Sequence, residues 1–454
     1  MAGGASLSLR LGLYDEARGS GLAGATAEAR GTVISATAAR PAEAGYGWRA
    51  QVWRRTSDFS NTSYSVAADR ASTALTNDQY ETPATAWGAN LALRRSTGAL
   101  QWEAGADARL NEGETRERNR FQAGAPTRER RAGGETSVTG VYLEGAWREG
   151  PWLVAGGLRA DAWRNSGGRR LEFDLPGGAV TLDERSPDAS GEVLTGRLAV
   201  RRALAEGLAV RAAAYSGFRP PTINELHRPF RVGNDITEAN PDLVPERLHG
   251  LEAGLSGGGA RMDWTVTGFW NRLEDAIVNV TIGEGPATFP RAGFVPAGGV
   301  LRQRRNAGAV EAFGLEAQAR WRASDRLTLT GAVALTDARV DGGADAPQLT
   351  GLRPAQAPKI SAAATIEWRA SDRLDLDAVI RHEGRRFDDD LNSRVLGAAT
   401  SIDARATWRL GETAAVYLAV DNLTDARIET SETGLGVEGY AAPRTARVGL
   451  RLTY

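Results

Sequence analysis

The chain has 454 residues, a formal net charge of −1 and 24 % charged residues, so no electrostatic bias directs it to nucleic acid. It has no cysteine, which excludes disulfides, thiol catalysis and Cys-based metal sites. His227, His249 and His382 are its only histidines, too few and too scattered for a His-rich zinc site.

No run approaches the roughly 18 apolar residues of a transmembrane helix. The mean hydropathy is −0.34, but that does not exclude a membrane protein whose strands are apolar only at every second residue. Met1 to Ser6 has neither the charged start nor the apolar core of a signal peptide.

Alternation begins almost at once, with Leu7, Leu9, Leu11 and Leu13 on one parity. Side chains of a strand point alternately to its two faces, so such a row makes one face apolar. Further along, Leu327, Leu329, Val333 and Leu335 alternate with Thr328, Thr330 and small residues. Leu374, Leu376, Ala378 and Ile380 alternate with Asp375, Asp377 and Arg381. Ile402, Ala404, Ala406, Trp408 and Leu410 oppose Asp403, Arg405, Thr407 and Arg409. The last segment sets Val448, Leu450, Leu452 and Tyr454 against Arg447, Gly449, Arg451 and Thr453.

A soluble sandwich also alternates, so length has to decide. Average soluble strands run about 5–6 residues, whereas a tilted strand crosses a bilayer in about 9–11. Many segments here reach that longer figure. Trp147, Trp152, Trp321, Trp368 and Trp408 lie towards segment ends, as an interfacial girdle requires. The predicted fold is therefore all-β: a transmembrane, antiparallel, up-and-down β-barrel.

Connections add a direction. Short ones are predicted near 41–44, 96–98, 149–150, 204–206, 256–260, 322–325, 370–372 and 411–412. Long polar ones are predicted at 60–82, 113–134, 165–189, 219–245, 283–301, 339–356, 383–396 and 422–442. Tight periplasmic turns and long extracellular loops are the asymmetry of outer-membrane barrels. One turn recurs: Trp321 to Leu327 reads Trp-Arg-Ala-Ser-Asp-Arg-Leu, and so does Trp368 to Leu374. The pattern amounts to about 18 strands, an even number as the barrel rule wants.

The most informative segment runs from Tyr215 to Leu226 and from Asn240 to Glu246. Pro220 and Pro221 end a ladder, since proline has no N–H to donate. Thr222 and Glu225 have capping-box spacing and predict a short helix. Asp388, Asp389 and Asp390 offer hard oxygens suited to a cation, although a charge run more often marks a solvated loop tip, the preferred reading. The arginine-rich stretches 116–118 and 128–131 could meet lipopolysaccharide phosphates or an anionic chelate. Their adjacent acids instead predict a self-neutralising, solvated loop.

Phe218, Arg219, Pro220, Glu225 and Leu226, followed by Asn240, Pro241, Pro245 and Glu246, resemble the signature loop of TonB-dependent outer-membrane receptors. Phe269 to Ile277, Asn306 to Gly308 with Gly314 to Glu316, Asp421 to Asp425, and Pro443-Arg444 with terminal Tyr454 resemble further blocks of that family. The resemblance covers 215–454 in the family's order; 1–214 fits a barrel without such blocks.

The resemblance implies an outer-membrane receptor that takes up a scarce chelate of the ferric siderophore or cobalamin class. The signature residues would shape the principal loop. Ligand contacts are placed at His227, Arg228, Arg231 and Asp235, and at Asp388, Asp389, Asp390 and Asn392. Tyr454 would belong to the signal read by the barrel-assembly machinery. Implied partners are outer-membrane lipids, lipopolysaccharide, that machinery and a small chelate, with no nucleic acid and no cofactor. The family's signal peptide, TonB box and plug domain are not found in the sequence. Residues 1–454 are accordingly expected to be an N-terminally truncated barrel domain, about 18 strands of roughly 22, coupled to TonB only if plug and box exist. The alternatives are a plugless passive channel or a non-functional receptor fragment. No nucleophile–base pair can be nominated, so no enzyme is expected.

Overall fold

The computed structural model describes residues 4–19, 21–42 and 45–453. Tyr454, expected to end the assembly signal, lies outside the described residues.

One antiparallel sheet dominates, and eighteen of its strands follow one another in chain order as an up-and-down wall. The first half is β1 (Ser6–Gly19), β2 (Thr26–Arg40), β3 (Tyr46–Val66), β4 (Ala84–Thr97), β5 (Leu100–Gln122), β6 (Ala125–Glu149), β7 (Trp152–Asp174), β8 (Ala189–Ala205) and β9 (Leu208–Arg219). The second half is β10 (Glu246–Gly258), β11 (Met262–Glu274), β12 (Ala309–Ser324), β13 (Leu327–Asp341), β14 (Ile360–Arg369), β15 (Leu374–Glu383), β16 (Ala399–Arg409), β17 (Ala414–Asp421) and β18 (Thr445–Leu452). Among the described residues β1 pairs with β2 and β18 with β17, and β1 and β18 do not pair with each other.

The register separates two faces as the alternation predicts. Between β11 and β12, Trp264 opposes Ala319, Val266 opposes Ala317 and Trp270 opposes Phe313 on the outer face. On the inner face Thr265 opposes Gln318 and Thr267 opposes Glu316. Outer side chains stay open: Leu7, Leu9, Leu11 and Leu13 are 66–74 % exposed. In water such a surface would be an aggregation site, and in a bilayer it is the solvated face. Trp321, Trp368 and Trp408 sit on it beside the tight turns.

The tight turns gather at one end. β4 and β5 are joined through Gly98, β6 and β7 through Gly150, and β8 and β9 through Gly207, each with positive φ. The two copies of the repeated turn lie side by side, with Arg326 donating to Asp372 at 3.0 Å. In each copy a serine hydroxyl, Ser324 or Ser371, accepts from the backbone N–H two residues on. The short sequence repeat is thus one turn design used on neighbouring hairpins.

At the opposite end the loops carry structure of their own. Residues 113–134, expected as a long loop, are instead the continuation of β5 and β6, which stay paired up to Gln122 and Ala125. Cross-strand charge explains the difference. Arg116 bonds Glu81, Arg118 pairs with Asp78, Arg130 bonds Glu117, and Arg128 pairs with Asp174. Opposite charges on neighbouring strands favour the ladder, so a polar run that reads as loop is held as sheet. Two extra strands, Thr73–Glu81 and Val180–Arg185, widen this tall section.

A separate four-stranded sheet of Phe230–Val232, Asp235–Glu238, Val300–Asn306 and Ile277–Glu284 forms among the later loops. The compact apolar clusters are in this region rather than in the wall. Val280, Ala307, Val340, Ala346 and Leu349 make one; Ile236, Val295 and Leu301 make another. These residues are shielded from water on every side, and burial of each large one contributes about 1.5–3 kcal/mol.

Candidate functional site

The signature loop is the hub of this plateau. β9 ends at Arg219, and the prolines that follow leave Thr222 to cap α1 (Ile223–His227). The predicted capping box is present: Glu225 N–H donates to Thr222 Oγ1 at 3.2 Å, and Thr222 N–H donates to Glu225 Oε2 at 2.7 Å. Arg219 grips Glu225 at 2.9 and 3.1 Å and Glu246 at 2.5 Å. The other oxygen of Glu246 accepts from Ile277 N–H at 2.7 Å. One guanidinium therefore ties the strand leaving the wall to the helix and to the returning strand. Burial alone would raise the Glu225 pKa, but the bonds from Arg219 and Thr222 bring it below the ordinary carboxylate value. Leu226 and Pro245 are buried, Asn240 donates its N–H to Glu225 O at 3.1 Å, and Asn240 Oδ1 accepts from Asp242 N–H at 3.0 Å. Phe218, Pro220 and Pro241 are half-buried around the hub.

α1 packs on β6 and β7, where a buried ion network receives the chain after it. Glu117, 1 % exposed, accepts from Arg130 at 2.7 Å and from Arg228 Nε at 2.9 Å. Arg228 also donates to Gln79 at 2.9 Å, and Arg130 to the Pro229 carbonyl at 3.0 Å. Alongside, Arg170 links Glu172 and Glu238, each at 2.7 Å. The expected solvated arginine loop is thus self-neutralised, with Glu117 buried and Arg130 half-buried at its centre and Arg118 left exposed. Arg228 itself is occupied in closing the network.

His227 lies beneath. It is 7 % exposed, with Nδ1 3.3 Å from Ser186 Oγ. Its ring fits against Gly168, where an added Cβ would come within 2.3 Å of it, so only glycine allows the approach. Burial holds the ring's pKa down to about 4. Above, Arg304 donates to the carbonyls of Asn224 (2.5 Å) and Arg228 (2.9 Å) and stacks on Phe230. Burial lowers its pKa to about 10.

The acidic loop is wired to the same plateau from the other side. Asp235 pairs with Arg302 at 3.0 Å and Arg394 at 2.6 Å. Asp390 accepts from Thr281 N–H and Oγ1 at 2.7 and 2.9 Å and pairs with Arg302. Asp389, only 4 % exposed, accepts from Ser393 Oγ and Arg394 N–H, both at 2.7 Å. Asp388 accepts from Gln356 at 2.6 Å and Glu432 N–H at 2.9 Å. Asn392 exchanges bonds of 2.9 Å with the backbone of Arg353. The expectation of a solvated tip fails here, because Asp388 and Asp390 cross-link loops that are far apart in sequence and Asp389 is folded back onto its own loop. Among the described residues no group of three or more His, Asp or Glu is arranged to hold a metal. Arg231 is half-buried and bonds only carbonyls, those of Gly233 and Phe294.

Below the plateau the inner face of the wall is polar. Arg159 joins Asp107 at 2.6 Å and Asp161 at 2.9 Å, and Tyr142 donates to Glu103 at 2.7 Å. Further round, a cavity of about 590 Å³ is lined by Arg211, Thr267, Glu316, Gln318, Ser361 and Arg381 among others. Sequence reading missed the burial of Glu117, and it missed Arg120 and this inner charge cluster altogether. Charges repeated on one strand parity, as at Glu103, Asp107 and Arg109, were the available signal.

An eighteen-stranded wall with an apolar outside, a polar inside, tight turns at one end and a cross-linked plateau at the other is an outer-membrane type of transmembrane β-barrel. Residues 7–423 match the family model described as TonB dependent receptor-like, beta-barrel, and the chain belongs to that family. It is 26 % identical over 299 residues to the vitamin B12 transporter BtuB of Photobacterium profundum, covering 66 % of this chain and 41 % of that protein. The chain thus spans well under half the length of that relative. The copper transporter OprC superposes with a TM-score of 0.75 at 16 % identity, over 99 % of this chain and 69 % of that one. The ferric yersiniabactin uptake receptor FyuA of Yersinia pestis gives 0.72 at 14 % identity, over 94 % and 62 %. At these identities the superpositions speak for the fold.

Proposed function

We propose that residues 1–454 are the barrel domain of an outer-membrane receptor for energy-coupled uptake of a scarce chelate, of the ferric siderophore or cobalamin class. The carrying observation is the plateau. Arg219, Glu225 and Glu246 lock the signature loop, and buried ion pairs bind it to the tall β5–β7 section over a polar inner face. Such a surface holds its groups in place before a ligand arrives, which lowers the ordering cost of binding. The loops would face the exterior and the tight turns the periplasm. Outer-membrane lipid and lipopolysaccharide would surround the outer face. Tyr454 would serve the barrel-assembly machinery, and TonB would act on the whole polypeptide.

His227, Arg228, Asp235, Asp388, Asp389, Asp390 and Asn392 enter this proposal as the frame of the binding surface, since their polar atoms serve other protein groups. Arg231 has unused donors. The reading is supported by family membership and by relatives named as a vitamin B12 transporter and an iron-regulated outer membrane virulence protein. Growth of a deletion strain on single sources of ferric chelate or cobalamin tests it. The expected outcome is loss of growth on one source at limiting concentration, restored by the gene and abolished again in a strain lacking TonB. Growth unaffected on every source overturns it.

A further inference from the structure

Most arginines of the plateau have a carboxylate partner, and two that meet on one hairpin do not. The hairpin of Ala287–Phe289 and Gly293–Val295 is anchored from beneath by Val295 and Phe289, which pack with Ile236 and Leu301. Arg120, held at a positive φ of 54° near the tip of the β5–β6 ladder, lays its guanidinium against Gly293 and donates to Arg291 O at 3.4 Å. Arg231 reaches the same hairpin from the neighbouring strand, donating to Phe294 O at 3.4 Å and to Gly233 O at 3.2 Å.

Both bonds to the hairpin are long, and each guanidinium has five N–H donors. Neither has an ion-pair partner among the described residues. The acid whose charge reaches Arg120, Glu172, already serves Arg170 and Arg130, and Glu184 serves Arg291 on the hairpin. Arg231 is half-buried, and burial together with the charge of Arg120 lowers its pKa. Two like charges left close together and partly desolvated are unfavourable unless an anion joins them. Phe294, 58 % exposed, presents an apolar face on the same hairpin.

We propose that Arg120 and Arg231, with Phe294 beside them, form a ligand subsite for a chelate of net negative charge bearing carboxylate or phenolate oxygens. This rests on the uptake reading above and narrows it, because a neutral chelate would leave the two charges unmatched. Guanidinium donors suit paired anionic oxygens, and the rigid hairpin fixes their spacing. Lipopolysaccharide phosphate has the same charge. The small chelate is favoured because Arg231 belongs to the four-stranded loop sheet, whereas lipid meets the outward rows of the wall.

The test uses the full receptor purified from outer membranes, with binding followed by fluorescence quenching. Ferric citrate and a ferric tris-catecholate are the anionic probes, and a neutral ferric tris-hydroxamate is the control. The double variant Arg120→Gln with Arg231→Gln is expected to weaken anionic binding roughly tenfold to a hundredfold. Neutral binding stays unchanged, and Arg120→Lys with Arg231→Lys recovers part of the loss. Equal weakening for anionic and neutral probes, no weakening at all, or wild-type binding of the neutral probe alone overturns the subsite while leaving the receptor reading intact. Displacement by purified lipopolysaccharide, with no chelate binding at the arginines, assigns them to lipid instead. Wild-type protein that binds no probe overturns the subsite, and the receptor reading then stands or falls on the growth test above.

Discussion

The wall and the plateau of this molecule obey opposite burial rules. On the wall, Leu158 is 66 % exposed while its neighbour Arg159 is turned inwards onto Asp107 and Asp161. On the plateau, Leu349 is 2 % exposed and Glu117, at 1 %, is covered as deeply. The difference teaches that burial has to be read against the solvent each face meets. A bilayer solvates leucine, so wall residues need only the correct parity. Plateau residues face water, and must bury apolar groups and pair their charges as a soluble domain does.

The largest expected effect is on the plateau. Glu117→Gln leaves Arg130 and Arg228 without their shared countercharge, and removing one member of a buried pair costs about 3–5 kcal/mol. The opening should be local, with faster hydrogen exchange and proteolysis in 113–134 and 223–238 and an unchanged wall. Protection equal to wild type would mean that the network is not what holds the loops.

Next comes the wall. Leu158→Arg places a charge in the lipid-facing row and is expected to cost about 2–4 kcal/mol near the bilayer midplane, measured by urea unfolding in lipid vesicles. The same substitution two registers towards the loops should cost less. Equal cost at every depth would remove the lipid-solvation argument on which the contrast rests.

A smaller effect is confined to the plateau and follows from His227, whose pKa is held down to about 4 by burial. An opened loop returns the ring to its ordinary value of 6.5. As pH falls from there towards about 4 the opened form takes up a proton that the closed form refuses, so loop stability is full above this window and declines within it. The loss is at most about 3 kcal/mol. Hydrogen exchange of 223–228 should show this pH dependence, and His227→Phe should flatten it. The wall should show neither change.

The same contrast explains what could be read beforehand. Strand alternation, seven of the eight tight turns (the one at 41–44 lies partly outside the described residues), the duplicated turn and the capping box were legible because each is local. Period two needs only neighbouring residues, and Thr222 caps Glu225 within one helical turn. The loop residues were legible only as types. Asp390 reads as a solvated acid because nothing nearby in sequence says otherwise, and its partners Thr281 and Arg302 come from loops elsewhere. Arg116 and Arg128 read as loop because their partners Glu81 and Asp174 lie on other strands.

By itself, then, the amino-acid order determined which face of each strand meets lipid, where the chain turns and how the signature helix starts. Those properties depend on contacts within a few residues and on the fixed geometry of a strand. Tertiary structure alone decided which charges are matched. Arg228 is spent on Glu117, which is 111 positions away, while Arg120 and Arg231 converge on a hairpin without an acid. Pairing depends on distance in space, and along a folded barrel that distance is set by the register of the whole sheet.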